Sequence, residues 1–346
     1  MNKRQQIKSL KIERCIMYIA DANSTTQQYG PGSNYGYVCG GYSGDGNKAS
    51  WYSIIDRFQF PFDSGTANKV GNLSRRRRGS SANNSSTYGY VYGGDSGYND
   101  TTVSTIDRFQ FPFDSGTANK VGNLSKRRSA SAANNSSTYG YVCGGDYGYY
   151  NNYLFIIDRF QFSFDSGTTN QVGNLSGSRS DLSANNSSTY GYVCGGFRGG
   201  YQIVDVYSTI DRFQFPFDSG TANQVGNLSV SREWLSANNS STHSYVCGGY
   251  NHYNGTLSTI DRFQFPFDSG TANHVGNLSR NNSCSSANNS SVYGYVCGGG
   301  SDDFSSTIDR FQFPFDSSIT SYVGNLSGSR DALSAVDGVD FVTMFV

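Results

Sequence analysis

The hydrophobic and polar positions of this chain alternate with a period of two. From Tyr139 to Gly145, Tyr139, Tyr141 and Cys143 alternate with Gly140, Val142 and Gly144, the pattern of a β-strand, and the Gly pair ends it. Downstream, Asp158, Phe160, Phe162 and Phe164 fall on one side while Ile157, Arg159 and Gln161 fall on the other, which predicts a second strand with an aromatic face. Asp165-Ser166-Gly167 supplies turn chemistry, Thr168 to Leu175 gives a further β segment, and Ser183 to Ser188 is small and polar, leading into the next Tyr-Gly-Tyr-Val. Four strands per unit follow, lettered A (Ser-Ala-Asn-Asn-Ser-Ser), B (Tyr-Gly-Tyr-Val-Cys-Gly-Gly), C (Ile-Asp-Arg-Phe-Gln-Phe) and D (Thr-Ala-Asn-Gln-Val-Gly-Asn-Leu). No long stretch shows helical periodicity.

The unit recurs. Ile-Asp-Arg-Phe starts at Ile55, Ile106, Ile157, Ile210, Ile260 and Ile308, and the strand ending in Gly-Gly runs to Gly41, Gly94, Gly145, Gly196, Gly249 and Gly299. Four-stranded units of roughly 50 residues, each needing a neighbour to cover its faces, predict an all-β fold, the β-propeller. Residues 1–346 read as a single propeller domain, because repeats add their core segment by segment.

Blade number is read from spacing. The Ile of strand C precedes the Leu of strand D by 18 residues in all six copies, and that Leu precedes the next strand B by 15. Adding 15 to Leu326 lands on Phe341, so Phe341 to Val346 reads as a seventh strand B. Ile12-Glu13-Arg14, within an N-terminal segment 1–25, then supplies a degenerate strand C, although its spacing to Tyr35 is 23 residues where the other copies have 33. The expectation is seven blades closed by pairing of N- and C-terminal strands, with six blades as the alternative.

The apolar strand B closed by Gly-Gly resembles the kelch repeat, with Val-Gly-Asn-Leu-Ser standing where a standard kelch unit carries its later aromatic. More specifically, IDRFQFPFDSGTA, YGYVCGG and the C-terminal VDGVDFVTMFV resemble the kelch-like repeat proteins of marine phages and large viruses. The resemblance covers nearly the whole chain after about residue 30. It implies a virus-associated propeller and lends little mechanism.

Composition narrows the partners. Lys and Arg balance Asp and Glu at a net charge of zero, so nucleic acid is not the default partner, and no apolar run is long enough for a membrane helix, so no membrane insertion is expected. Met1 to Ala22 makes no convincing signal peptide, because Glu13 and Arg14 crowd its short apolar piece. Five of the seven cysteines, Cys39, Cys143, Cys194, Cys247 and Cys297, occupy one equivalent strand-B position. Equivalent positions in neighbouring blades lie too far apart for disulfides, which suits assembly in a reducing cytoplasm and a final place in a virion or outside the cell.

No enzyme constellation is legible. His243, His252 and His274 lack ligand spacing, the serines form no nucleophile elbow, and Gly-Gly ends a strand without opening a phosphate-binding helix. No cofactor and no metal are expected. The Asp-Arg pair of each strand C, such as Asp158-Arg159, points to opposite faces and is placed to bridge neighbouring blades. The turn aspartates Asp63, Asp114, Asp165, Asp218, Asp268 and Asp316 are expected to cap their own turns.

Variation is concentrated in two sets of loops. The B to C connection holds all the length variation, with 13, 11, 11, 13, 10 and 8 residues between Gly-Gly and Ile, and the D to A connection keeps its length while changing its residues. In an up-and-down meander both emerge on one rim. They carry Trp51, Tyr52, Tyr98, Tyr147, Tyr149, Tyr150, Tyr153, Phe197, Tyr201, Tyr207, Trp234, Tyr250 and Tyr253 among Gly, Ser, Asn and Asp, the composition of a recognition surface. Arg76, Arg77 and Arg127, from the runs Arg75 to Arg78 and Lys126 to Arg128, are the expected auxiliary contacts. The expected function is non-enzymatic: a virion or tail-associated adhesin recognising a surface glycan or protein receptor. The alternative is a structural or decoration protein of a viral particle or extracellular filament, self-assembling or held by a virion partner.

Overall fold

A computed structural model describes residues 34–44, 50–97, 102–148, 152–200, 203–301, 303–316 and 318–338. These residues form six antiparallel four-stranded blades arranged as a ring. Blades 2 to 6 each take their strands consecutively in the order A, B, C, D; blade 2, for example, comprises Ser81–Asn84, Tyr88–Tyr92, Thr105–Gln110 and Asn119–Asn123. Blade 1 is assembled from both parts of the chain. Its strands B, C and D are Tyr35–Cys39, Ile54–Gln59 and Asn68–Asn72, and its strand A is Ser334–Gly338, which pairs with Tyr35–Cys39 in the register Tyr35 to Gly338 and Cys39 to Ser334. Among the described residues no helix is long and apolar enough to cross a membrane.

The ring of described residues closes with six blades, not the seven expected from spacing. Arg310 of blade 6 pairs with Asp63 of blade 1, and Arg330 pairs with Asp56, so no gap is left between them for another blade. The strand A that follows Leu326, eight residues on at Ser334 as Ser81 follows Leu73, pairs with Tyr35–Cys39 and so completes the first blade instead of opening a seventh. Its Val336-Asp337 replaces the usual Asn-Asn and disguises it. Phe341 to Val346 and Ile12 to Arg14 lie outside the described residues.

The pattern that predicts the strands also explains their register. In every blade the central Tyr of strand B faces the Arg of strand C, as Tyr141 faces Arg159, and the following Val faces the Asp, as Val142 faces Asp158. The register to strand D shifts by one residue after the Ile, as between Ile157 and Asp158, a bulge that sharpens the twist of the outer strand. At the second position of strand B a Cβ on Gly140 would stand 2.5 Å from the Phe160 ring and 2.8 Å from Asn83 Nδ2; blade 5 carries the small Ser244 at that place.

The core lies between blades rather than within them. Tyr141, Cys143 and Ile157 of blade 3 pack with Val193 and Phe213 of blade 4, and the Tyr141 ring stacks on Phe215 at 5.2 Å. Burying these side chains contributes roughly 1.5–3 kcal/mol each. The Tyr141 hydroxyl accepts a hydrogen bond from the Phe217 amide at 3.1 Å, which satisfies its polar tip. The same bond recurs from Phe113 to Tyr37, Phe164 to Tyr90, Phe267 to Tyr192, Phe315 to Tyr245 and Phe62 to Tyr295.

Each Asp-Arg pair of strand C reaches two neighbouring segments. On the rim of the C to D turns, the Arg pairs with the turn aspartate of the next blade: Arg57 with Asp114, Arg108 with Asp165, Arg159 with Asp218, Arg212 with Asp268, Arg262 with Asp316 and Arg310 with Asp63. These aspartates, expected to cap their own turns, therefore serve as inter-blade clamps. On the looped rim, the strand-C Asp takes a buried Arg from the preceding D to A connection: Arg77 with Asp107 at 2.7 Å, Arg128 with Asp158, Arg179 with Asp211 and Arg232 with Asp261 each at 3.1 Å, and Arg330 with Asp56 at 2.8 Å. Asn282 holds the sixth place and instead donates to the Gly298 carbonyl. Arg77 is fully buried, which removes it from the set of expected ligand contacts: it is an internal counter-charge.

Candidate axial binding site

The D to A connections converge on the ring axis. The residue two places beyond each of those six positions, namely Gly79, Ala130, Asp181, Trp234, Cys284 and Ala332, has a positive φ of 59°, 51°, 57°, 55°, 55° and 49° respectively. This left-handed conformation is ordinary for glycine and costs other residues roughly 1–2 kcal/mol. The compensation is a closed circle of backbone hydrogen bonds. Ala130 donates to Gly79 at 2.7 Å, Asp181 to Ala130 at 2.8 Å, Trp234 to Asp181 at 3.0 Å, Cys284 to Trp234 at 2.8 Å, Ala332 to Cys284 at 2.8 Å, and Gly79 to Ala332 at 2.8 Å.

This circle lies among the walls of a cavity of about 600 Å³ at the centre of the looped rim, within the range of small-ligand sites. Around it, the residue preceding each circle member pairs through its backbone with the residue that follows Gly-Gly: Arg78 with Asp95, Ser129 with Asp146, Ser180 with Phe197, Glu233 with Tyr250, Ser283 with Gly300 and Asp331 with Tyr42. Both variable loop sets therefore meet on one rim. Three concentric positions per blade change identity from copy to copy on a fixed backbone.

Five of the expected aromatics, Trp51, Tyr153, Phe197, Trp234 and Tyr250, stand in two arcs there together with Tyr42, His252 and Phe304, which were not among them. In one, Tyr153 meets Phe197 edge-on at 5.8 Å, Phe197 stacks on His252 at 5.8 Å, His252 meets Tyr250 at 5.2 Å, and Tyr250 meets Trp234 at 5.5 Å. In the other, Phe304 meets Tyr42 at 5.5 Å and Tyr42 meets Trp51 at 5.4 Å, with the Arg78 guanidinium over Tyr42 at 4.8 Å. Trp234 is 39% exposed and Tyr253 is 95% exposed; Tyr147 and Tyr207 are half-buried, as is Tyr52, whose hydroxyl hydrogen-bonds Ser43. Arg76 and Arg127 are exposed. Tyr98, Tyr149, Tyr150 and Tyr201 lie outside the described residues.

The site also contains groups that sequence reasoning did not select. Burial and the nearby Asp146 carboxylate push Asp181 up to about 7. Burial and Asp181 push Glu233 up to about 8, and Glu233 Oε1 lies 3.0 Å from His252 Nε2. Asp331 rises to about 6 through burial, opposed by Arg78. Perturbed carboxylates gathered at one cavity mark a functional-site candidate. The available signal was positional: five different residue types across the six copies at one fixed offset from a repeated leucine.

The fold and this site define the class: a six-bladed β-propeller with a recessed axial cavity on its variable rim. No protein-family model matches the chain, and no curated protein matches it.

Proposed function

We propose that the protein is a non-enzymatic recognition module that binds a surface glycan or protein receptor on its looped rim, around the axial cavity. The observation that carries this reading is the division of the two rims. The rim of the C to D turns repeats the same Arg-Asp clamp at all six blade junctions, whereas the looped rim places its changing residues, two aromatic arcs and a cavity together. Rigid aromatics beside small polar residues bind with little loss of conformational freedom. In the setting implied by the phage and large-virus resemblance, the propeller is a virion or tail-associated adhesin.

The test is binding to glycan and cell-surface protein arrays, comparing the intact chain with Trp234→Ala and Tyr250→Ala. Loss of a reproducible array signal in both variants, with unchanged melting temperature, is the expected result. Ordered self-assembly with no array ligand would instead assign a structural or decorating role.

A further inference from the structure

The axial cavity is unevenly charged. Five carboxylates line it, from Asp95, Asp146, Asp181, Asp303 and Asp331, against the guanidinium of Arg78 among the described residues. Arg78 is committed at the rim, with its Nε 3.2 Å from Asp95 Oδ2 and its plane over Tyr42. Elsewhere on the circle, the carboxylate of Asp181 takes hydrogen bonds from the side chains of Ser180 and Trp234, and Asp146 adds a second negative charge. The Trp234 side chain is also partly open. An indole face beside a carboxylate in a recess holds organic cations, through the ring quadrupole and through charge-assisted hydrogen bonds.

The geometry points to the Asp181–Trp234 wall of the cavity as a site for a strongly basic side chain, an arginine guanidinium or lysine ammonium presented by a protein partner. This rests on the reading of the looped rim as a recognition surface and narrows it to one chemical group. The cavity has room for such a side chain and some of its flanking backbone. A neutral sugar stacked on Trp234 would give the ionised Asp181 carboxylate no counter-charge. The carboxylate side of the match develops late: Asp181 ionises at about 7, with Asp146 and Glu233 as its acidic neighbours. Lysine and arginine side chains stay protonated through that range, whereas an α-amine loses its proton at about 7.7–8.0.

Calorimetric titration with N-acetyl-arginine methylamide and N-acetyl-lysine methylamide at about pH 8, where Asp181 is ionised, provides the test, with the uncharged norleucine analogue as control. The two cations are expected to bind and norleucine is not. Asp181→Asn keeps a hydrogen-bond acceptor and tolerates the left-handed backbone, so it should weaken cation binding about tenfold or more with the melting temperature preserved. Equal binding of the norleucine analogue, or no binding of either cation, overturns the inference. An array glycan that binds Asp181→Asn as tightly as the intact chain also overturns it, while leaving the recognition surface intact if Trp234→Ala abolishes that binding. Array signals that survive both Trp234→Ala and Tyr250→Ala bring down the recognition surface itself.

Discussion

Arg330 Nη2 donates to Asp56 Oδ2 at 2.8 Å, and both side chains are buried where the last D to A connection meets the third strand of blade 1. Asp56 also accepts from the amide and hydroxyl of Ser327, at 2.9 and 2.7 Å. The Asp56 carboxylate is thus met from the far part of the chain.

Asp56→Ala leaves the Arg330 guanidinium buried without its counter-charge, and should destabilise the protein by about 3–5 kcal/mol. Asp63→Ala removes a partner that is 66% exposed on its side chain, and should cost about 1 kcal/mol or less. Urea denaturation of the two variants separates the cases. Similar losses would show that the two rims do not differ in burial as described.

Ala130→Gly and Ala332→Gly should stabilise the protein, each by about 0.5–1 kcal/mol, because they relieve a left-handed alanine at a cost in unfolded-chain entropy smaller than the relief. Trp234→Gly should likewise keep the backbone circle while losing ligand binding. Thermal melts and the array assay read the two effects separately; destabilisation by both alanine changes would contradict the φ values near +50°.

Stability should fall as pH rises from about 4 to 8. Asp181, Asp331 and Glu233 have folded-state values of about 7, 6 and 8 against ordinary values of 3.8, 3.8 and 4.5, so the folded chain retains protons that the unfolded chain has released. Their contribution is complete below the ordinary values and is lost as pH passes through the raised ones. Melting temperature measured across this range should drop, and less steeply in Glu233→Gln. A variant profile parallel to that of the intact chain would show that Glu233 is not held protonated.

The strand-B thiols should be inert in the native state. Cys39, Cys143, Cys194, Cys247 and Cys297 are buried and free, and burial raises each thiol, Cys194 to about 12. The thiolate is the reactive form, so labelling of these five by a maleimide should follow global unfolding in urea. Rapid labelling of any of them in buffer would contradict that packing.

Strand positions, register and the propeller class were legible because alternation and repetition act at the same scale. Blade number was not, because Val336-Asp337 departs from the Asn-Asn that marks the inner strand elsewhere. In the basic run Arg75 to Arg78, composition did not separate the expected contact Arg77, which the fold buries, from Arg78, which pairs with Asp95, or from Arg75 and Arg76, which stay outside. The informative signal was an arginine four residues after the strand-D leucine, at Arg77, Arg128, Arg179, Arg232 and Arg330. The axial circle was hidden more deeply, since nothing in Ala130, Trp234 or Cys284 announces a left-handed backbone; only convergence at the axis reveals it.

The union of Tyr35–Cys39 with Ser334–Gly338 sets an order of assembly. Blades 2 to 6 complete themselves from neighbouring stretches, whereas blade 1 waits for residues synthesised some three hundred positions later, and a loop of that length carries the largest closure entropy in the molecule. Until it closes, Tyr35–Cys39 is paired on one side only, with Ile54–Gln59, and an equivalent Ser334–Gly338 segment from another copy offers the same pairing. Dilution during refolding therefore favours the closed monomer, and crowding favours exchanged partners.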